Sequence, residues 1–207
     1  MASQVGIANR ALTKLGSARI TSLDENSKAA STINSMYDYV LYACLRAHLW
    51  GFAKARALLP ALASEPLFGY QLQYQLPSDF LRLIQIGDFL IYPRPTTQGL
   101  YSIEGGKILT NLDAPLPIRY TKRVTDPNAY DALFVEAFAC RLAAEACEAI
   151  TQSATKKKAA WTEHERAIAE AIRVNAIERP SQAVLEDTWI ESRNGRGHFA
   201  QTPSIHS

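Results

Sequence analysis

Between Asp126 and Ile150 the chain reads DPNAYDALFVEAFACRLAAEACEAI, and this stretch limits the possible folds more than any other. Asp126 has the side chain of an N-cap, and Pro127 suits a first helical turn, where its missing N–H leaves no bond unmade. At 3.6 residues per turn the apolar side chains nearly encircle the axis. Arg141, Glu145 and Glu148 share one side, and Glu136 sits roughly opposite. A helix apolar almost all round is a buried helix. Ala132, Ala137, Ala139, Ala143, Ala144, Ala146 and Ala149 let neighbours approach closely, while Phe134, Phe138 and Leu142 fill volume. The sequence therefore predicts a central helical post.

Three further helices are expected to surround it. Ser3 can cap a first one, with Ala8, Ala11, Leu12 and Leu15 as its apolar stripe and Gly16 as its stop. A second starts near Ser27 and ends around His48–Gly51; Ile33, Met36, Tyr37, Val40, Leu41, Cys44, Leu45 and Leu49 follow the helical template. A last one runs from a break at Thr151–Ser153 to about Glu178, with Trp161, Ile168, Ala171 and Ile172 inward. Between the second helix and the post the period changes to two. Trp50–Leu62 is ambiguous between helix and strand. Tyr70–Leu76, Leu81–Ile86, Phe89–Tyr92 and Ile118–Val124 read as strands. Tyr101–Glu104 and Lys107–Thr110 form a hairpin around Gly105-Gly106, with Glu104 and Lys107 as a cross-strand ion pair.

The expected fold is α+β, mainly α. Residues 1–57 with 125–180 form a helical bundle from both chain ends, 58–124 a small antiparallel β insertion, and 181–207 an extended C-terminal tail that is ordered only if something holds it.

Composition narrows the chemistry. With 47% hydrophobic residues in 207, a sizeable core is available. A net charge of +2 is too small to imply a nucleic-acid or membrane partner by itself. Cys44, Cys140 and Cys147 fall at apolar helical positions, which suits buried thiols in a reducing compartment better than disulfides or a metal site. No secretory leader or membrane span is legible, so the sequence reads as soluble and made in a cytoplasm. There is no zinc spacing, no C-x-x-C, no G-x-S-x-G and no phosphate-binding glycine loop. His48 reads as a packed or capping side chain and His164 as part of a solvated face. Neither a catalytic set nor a cofactor is expected, although scattered carboxylates could still pair in space.

Two groups of cations could face DNA: Arg119, Lys122 and Arg123 around Tyr120, and Lys156-Lys157-Lys158 at the start of the last helix. The bland readings are a solvated strand face and a solubilising turn. The tail places Trp189, Ile190, Arg193, Arg196 and Phe199 in a glycine-bearing terminus, residue types that interfaces use as anchors. Folding back onto its own bundle is the alternative for Trp189.

Taken in order, these segments resemble a known family. They are Ile7-Ala8-Asn9-Arg10-Ala11-Leu12 with Leu15-Gly16, then Tyr37-Asp38 and Leu45, then His48-Leu49-Trp50-Gly51-Phe52-Ala53 with Arg56 and Leu58. Phe68-Gly69-Tyr70, Tyr74-Gln75-Leu76-Pro77-Ser78-Asp79-Phe80-Leu81-Arg82, Arg119-Tyr120, Val124-Thr125-Asp126 and Phe134–Ala143 follow. The order and spacing are similar to the tail tubular protein A family, the head-to-tail adaptors of short-tailed bacteriophages. The likeness runs to about Glu178, and Leu49 stands where the pattern has a proline.

The resemblance implies a virion structural protein without catalytic residues, in the neck or tail of the particle and in the host cytoplasm during assembly. It implies a ring, typically of twelve copies, beneath the portal protein and above the tail nozzle protein, with double-stranded DNA passing through unread. It also implies a tail that reaches the portal, with Trp189, Arg193, Arg196 and Phe199 as contacts. A cell-wall-degrading hydrolase of the virion and a DNA-binding protein are the alternatives.

Overall fold

The computed structural model describes residues 2–91 and 99–178. The expectations placed on Tyr92 and on the tail lie outside them.

α1 (Gln4–Leu15) starts where Ser3 Oγ accepts the Gly6 amide at 3.0 Å. It ends at Gly16, whose φ of +69° lets the Gly16 and Ser17 amides turn back to the Thr13 and Leu12 carbonyls. α2 (Lys28–Ala47) is capped by Ser27 and stops at the extended His48. The post begins later than the sequence suggests. Asp126 caps only a 3-10 turn at Pro127–Ala129, whereas Asp131 accepts the Leu133 and Phe134 amides and opens α3 (Ala132–Thr151). Two aspartates five residues apart compete for one helix start, and Tyr130 decides it. Its buried hydroxyl donates to the Val124 carbonyl at 2.9 Å, which holds the chain extended before Asp131. Gln152, at φ +52°, breaks the chain before α4 (Ala154–Ile177).

All four helices contribute to one apolar core. Phe134, Phe138, Leu142 and the small Ala139, Ala143 and Ala146 of α3 meet Ile7 and Leu12 of α1, Ile33 and Leu41 of α2, and Ala171 of α4. Trp50 seals one end: its Nε1 donates to the Cys44 carbonyl at 2.9 Å, and its ring stands edge-on to Phe134 with centroids 5.0 Å apart. The small residues of α3 allow the close approach, except Ala132 and Ala149, which are exposed. The aromatic cluster of Tyr37, Trp50, Phe52, Tyr130, Phe134 and Phe138 fills the remaining space.

The ambiguous segment after Trp50 is a 3-10 turn, Gly51–Ala53, followed by β1 (Lys54–Leu59), which ends at Pro60. β2 (Leu72–Gln75), β3 (Phe80–Ile86), β4 (Phe89–Leu90), β5 (Tyr101–Glu104), β6 (Lys107–Thr110) and β7 (Leu116–Lys122) follow. They make two antiparallel sheets, ordered β1-β7-β3-β4 and β2-β6-β5. A second apolar cluster draws on both: Leu59, Leu83, Ile86, Leu116, Ile118 and Tyr120 from the first, Tyr74 and Ile108 from the second.

The β5–β6 hairpin turns at Gly105 and Gly106, both at positive φ, and brings Glu104 opposite Lys107. The expected ion pair is not made. Glu104 accepts the Ser102 hydroxyl at 2.6 Å, and Lys107 donates to Gln73 Oε1 at 3.3 Å. Gln73 also departs from simple alternation: it is buried, with its Nε2 donating to the Ser64 carbonyl and hydroxyl, because the loop before β2 folds back over that face. No helix among the described residues is long and apolar enough to cross a membrane.

Candidate functional site

Helix α1, from the beginning of the chain, is tied to the later helices by charge. The Lys14 ammonium lies 2.7 Å from Glu136 of α3 and 2.5 Å from Glu163 of α4, and Arg10 Nε pairs with the other oxygen of Glu136. Burial works against the charged forms of Lys14 and Glu136. Together, the hydrogen bond between the two, the Lys14–Glu163 bond and the neighbouring charges, Arg10 among them, outweigh it, holding Lys14 above its ordinary pKa and Glu136 below. The Cys140 thiol donates to Glu136 at 3.6 Å, and burial pushes its pKa up to about 11. Glu136, Cys140 and Glu163 are near enough to share a cation, and Lys14 supplies one. The cluster works as an electrostatic clasp.

Among the described residues, neither His48 nor His164 belongs to this cluster. His164 is buried rather than solvated: Nδ1 faces the Ala137 carbonyl at 3.2 Å, its ring meets Trp161 edge-on, and desolvation lowers its pKa. The charges flanking it in sequence conceal that α4 turns this position towards α3. His48 Nε2 lies 3.0 Å from the Asn175 amide, and Asn175 Oδ1 accepts the Gly51 amide at 3.1 Å, pinning the end of α4 to the start of the β region.

The two cation groups separate once folded. Lys156 donates to the Leu15 carbonyl at 3.5 Å, at the negative end of α1, Lys157 pairs with Glu148, and Lys158 is exposed. Arg123 is held by the Ser78 and Asp79 carbonyls, with its guanidinium 5.2 Å from the Tyr42 ring, so it joins the helical and β parts. Strand alternation puts Lys122 on the opposite side of β7 from Arg119. The three therefore do not make a single wall.

Arg119 belongs instead to a surface that the sequence reading did not pick out. On the outer face of the four-stranded sheet it stands opposite Arg56 of β1 and beside Gln85 of β3, and Leu58 faces Pro117 in the next rank. These residues line an open groove of about 490 Å³. Neither arginine makes an ion pair among the described residues. Like charges directly opposite on paired strands are destabilising, so the arrangement favours an anion laid across both.

The β insertion carries much of the apolar exposure, and Tyr39 of α2 and Ile177 of α4 are exposed as well. Leu67 is 98% and Phe68 86% exposed at the tip of the loop before β2, and Leu58, Phe89, Leu90 and Ile103 are also exposed. The loop rims a second open groove, of about 560 Å³, together with Tyr70, Gln73 and Lys107. No signal in the sequence separates these from core apolar residues, since Phe68-Gly69-Tyr70 resembles a buried run.

Trp189, Ile190, Arg193, Arg196 and Phe199 lie outside the described residues. No protein-family model matches the chain, and comparison with curated proteins finds no match.

Proposed function

We propose that this chain is a structural adaptor of a short-tailed phage particle, assembling as a ring, typically of twelve copies, between the portal protein and the tail nozzle protein. Residues 1–57 and 125–180 make one discontinuous helical bundle, 58–124 insert from it, and 181–207 reach towards the portal. DNA passes through the ring without being read. The observation that supports this reading is the number of exposed apolar side chains on the β insertion, Leu58, Leu67, Phe68, Phe89, Leu90 and Ile103, beside a helical core whose converging acids already hold Lys14. Exposed apolar patches of this kind mark surfaces that other proteins cover. Copies meeting through different patches form a ring when the rotation between them closes, and the Leu67–Phe68 loop and the groove of Leu81, Ile91 and Ile103, flanked by Arg46 and Arg82, are the two surfaces offered for it.

The test is cosedimentation of the full chain with the portal protein of the same genome. The chain moves into the portal fraction, and removal of Val184–Ser207 returns it to the top of the gradient with its helical content intact. Unchanged cosedimentation of the shortened protein overturns the role of the tail.

A further inference from the structure

The Arg56–Arg119 groove is built for an anionic, partly apolar ligand. Its two guanidinium groups stand across adjacent strands with no carboxylate partner among the described residues, and the next rank offers Leu58, 67% exposed, and Pro117. A complementary segment exists in the chain itself. Leu185-Glu186-Asp187-Thr188-Trp189-Ile190-Glu191 gathers the three carboxylates that follow Glu178 around a tryptophan and an isoleucine, and the tail's next charges are Arg193 and Arg196.

The exit point of the tail makes that match reachable. Asn175, in the last turn of α4, is hydrogen-bonded to Gly51, and Arg56 lies five residues further along the chain. Five residues of 3-10 turn and strand cover at most about 17 Å. The eight residues from Glu178 to Glu186 can span about 26 Å when extended.

We propose that in the free protein the outer face of β1 and β7 seats the chain's own Leu185–Glu191 segment, with its carboxylates on Arg56 and Arg119 and with Trp189 and Ile190 over Leu58 and Pro117. The inference concerns the isolated chain and stands apart from the adaptor reading.

A pair of introduced thiols tests it in the full-length protein, Pro117→Cys with Ile190→Cys. The three native cysteines are buried and do not compete. Under mild oxidation at high dilution, an intramolecular disulfide joining the two new thiols is expected. It forms at least tenfold faster than in the same protein carrying Glu186→Lys and Asp187→Lys, changes that lie outside the described body. Restoring charge complementarity with Arg56→Glu and Arg119→Glu in that background brings the rate back. Equal rates with and without the tail carboxylates overturn the proposal. So does the absence of the bond, and so does a disulfide that forms only between molecules, which would assign the groove to a second copy.

Discussion

Lys14 of α1 sits between Glu136 of α3 and Glu163 of α4, 2.7 and 2.5 Å from their carboxylates, so a residue near the start of the chain is locked to two helices near its end. Side chains only 18% and 27% exposed, at Lys14 and Glu136, lift this above an ordinary surface ion pair.

The clasp predicts how stability depends on pH. Because Glu136 is held below its ordinary pKa, its contribution is complete above the unfolded value of about 4.3 and is lost as pH falls through the folded one. Glu136→Gln should cost about 1–2 kcal/mol at pH 7 and flatten the acid limb of the stability curve. Urea melts of both proteins between pH 7 and pH 3 check this; parallel acid limbs would contradict it.

A second prediction concerns Asn9. It is buried, its Nδ2 donates to the Ile20 carbonyl at 2.8 Å, and its Oδ1 accepts the Ile20 amide at 2.7 Å. Asn9→Ala strands both backbone groups and should destabilise by about 1–3 kcal/mol. The expected sign is faster hydrogen exchange confined at first to the loop between α1 and α2.

Thiol titration checks the core directly. Burial pushes the Cys44 thiol to about 12 and Cys140 to about 11, and Cys147 is equally enclosed. At pH 8 the native protein should react with fewer than one equivalent of a thiol reagent, and with three in denaturant. Rapid reaction of the native protein would contradict the packing around α3.

Leu67→Ser with Phe68→Ser should leave stability within about 0.5 kcal/mol, because both side chains already face solvent. The same pair should weaken assembly at least tenfold, read by sedimentation velocity across a concentration series. Unchanged assembly would remove the loop from the proposed interface.

The sequence made the helices legible because their signals are local. Ser3 caps where the pattern places it, α2 and α4 begin next to Ser27 and the Thr151–Ser153 break, and the apolar periods of α1 and α2 coincide with their buried faces. Asp126 misled because a capping aspartate is specified by its neighbours as much as by itself. The sites were harder. Lys14, Glu136 and Glu163 are far apart in the chain, and nothing in their spacing announces a cluster. Arg56 meets Arg119 only once the strand register is fixed, and His164 is buried by a helix that starts over 20 residues before it. Long-range pairing, which composition and period do not encode, separates the legible part from the rest.

The central claim is that this chain caps a portal as a ring. Electron microscopy of the full-length protein mixed with the portal protein of the same genome tests it most directly. The account predicts an added ring of density below the portal with the portal's own rotational symmetry; a portal that stays bare at micromolar concentrations of both proteins would contradict it.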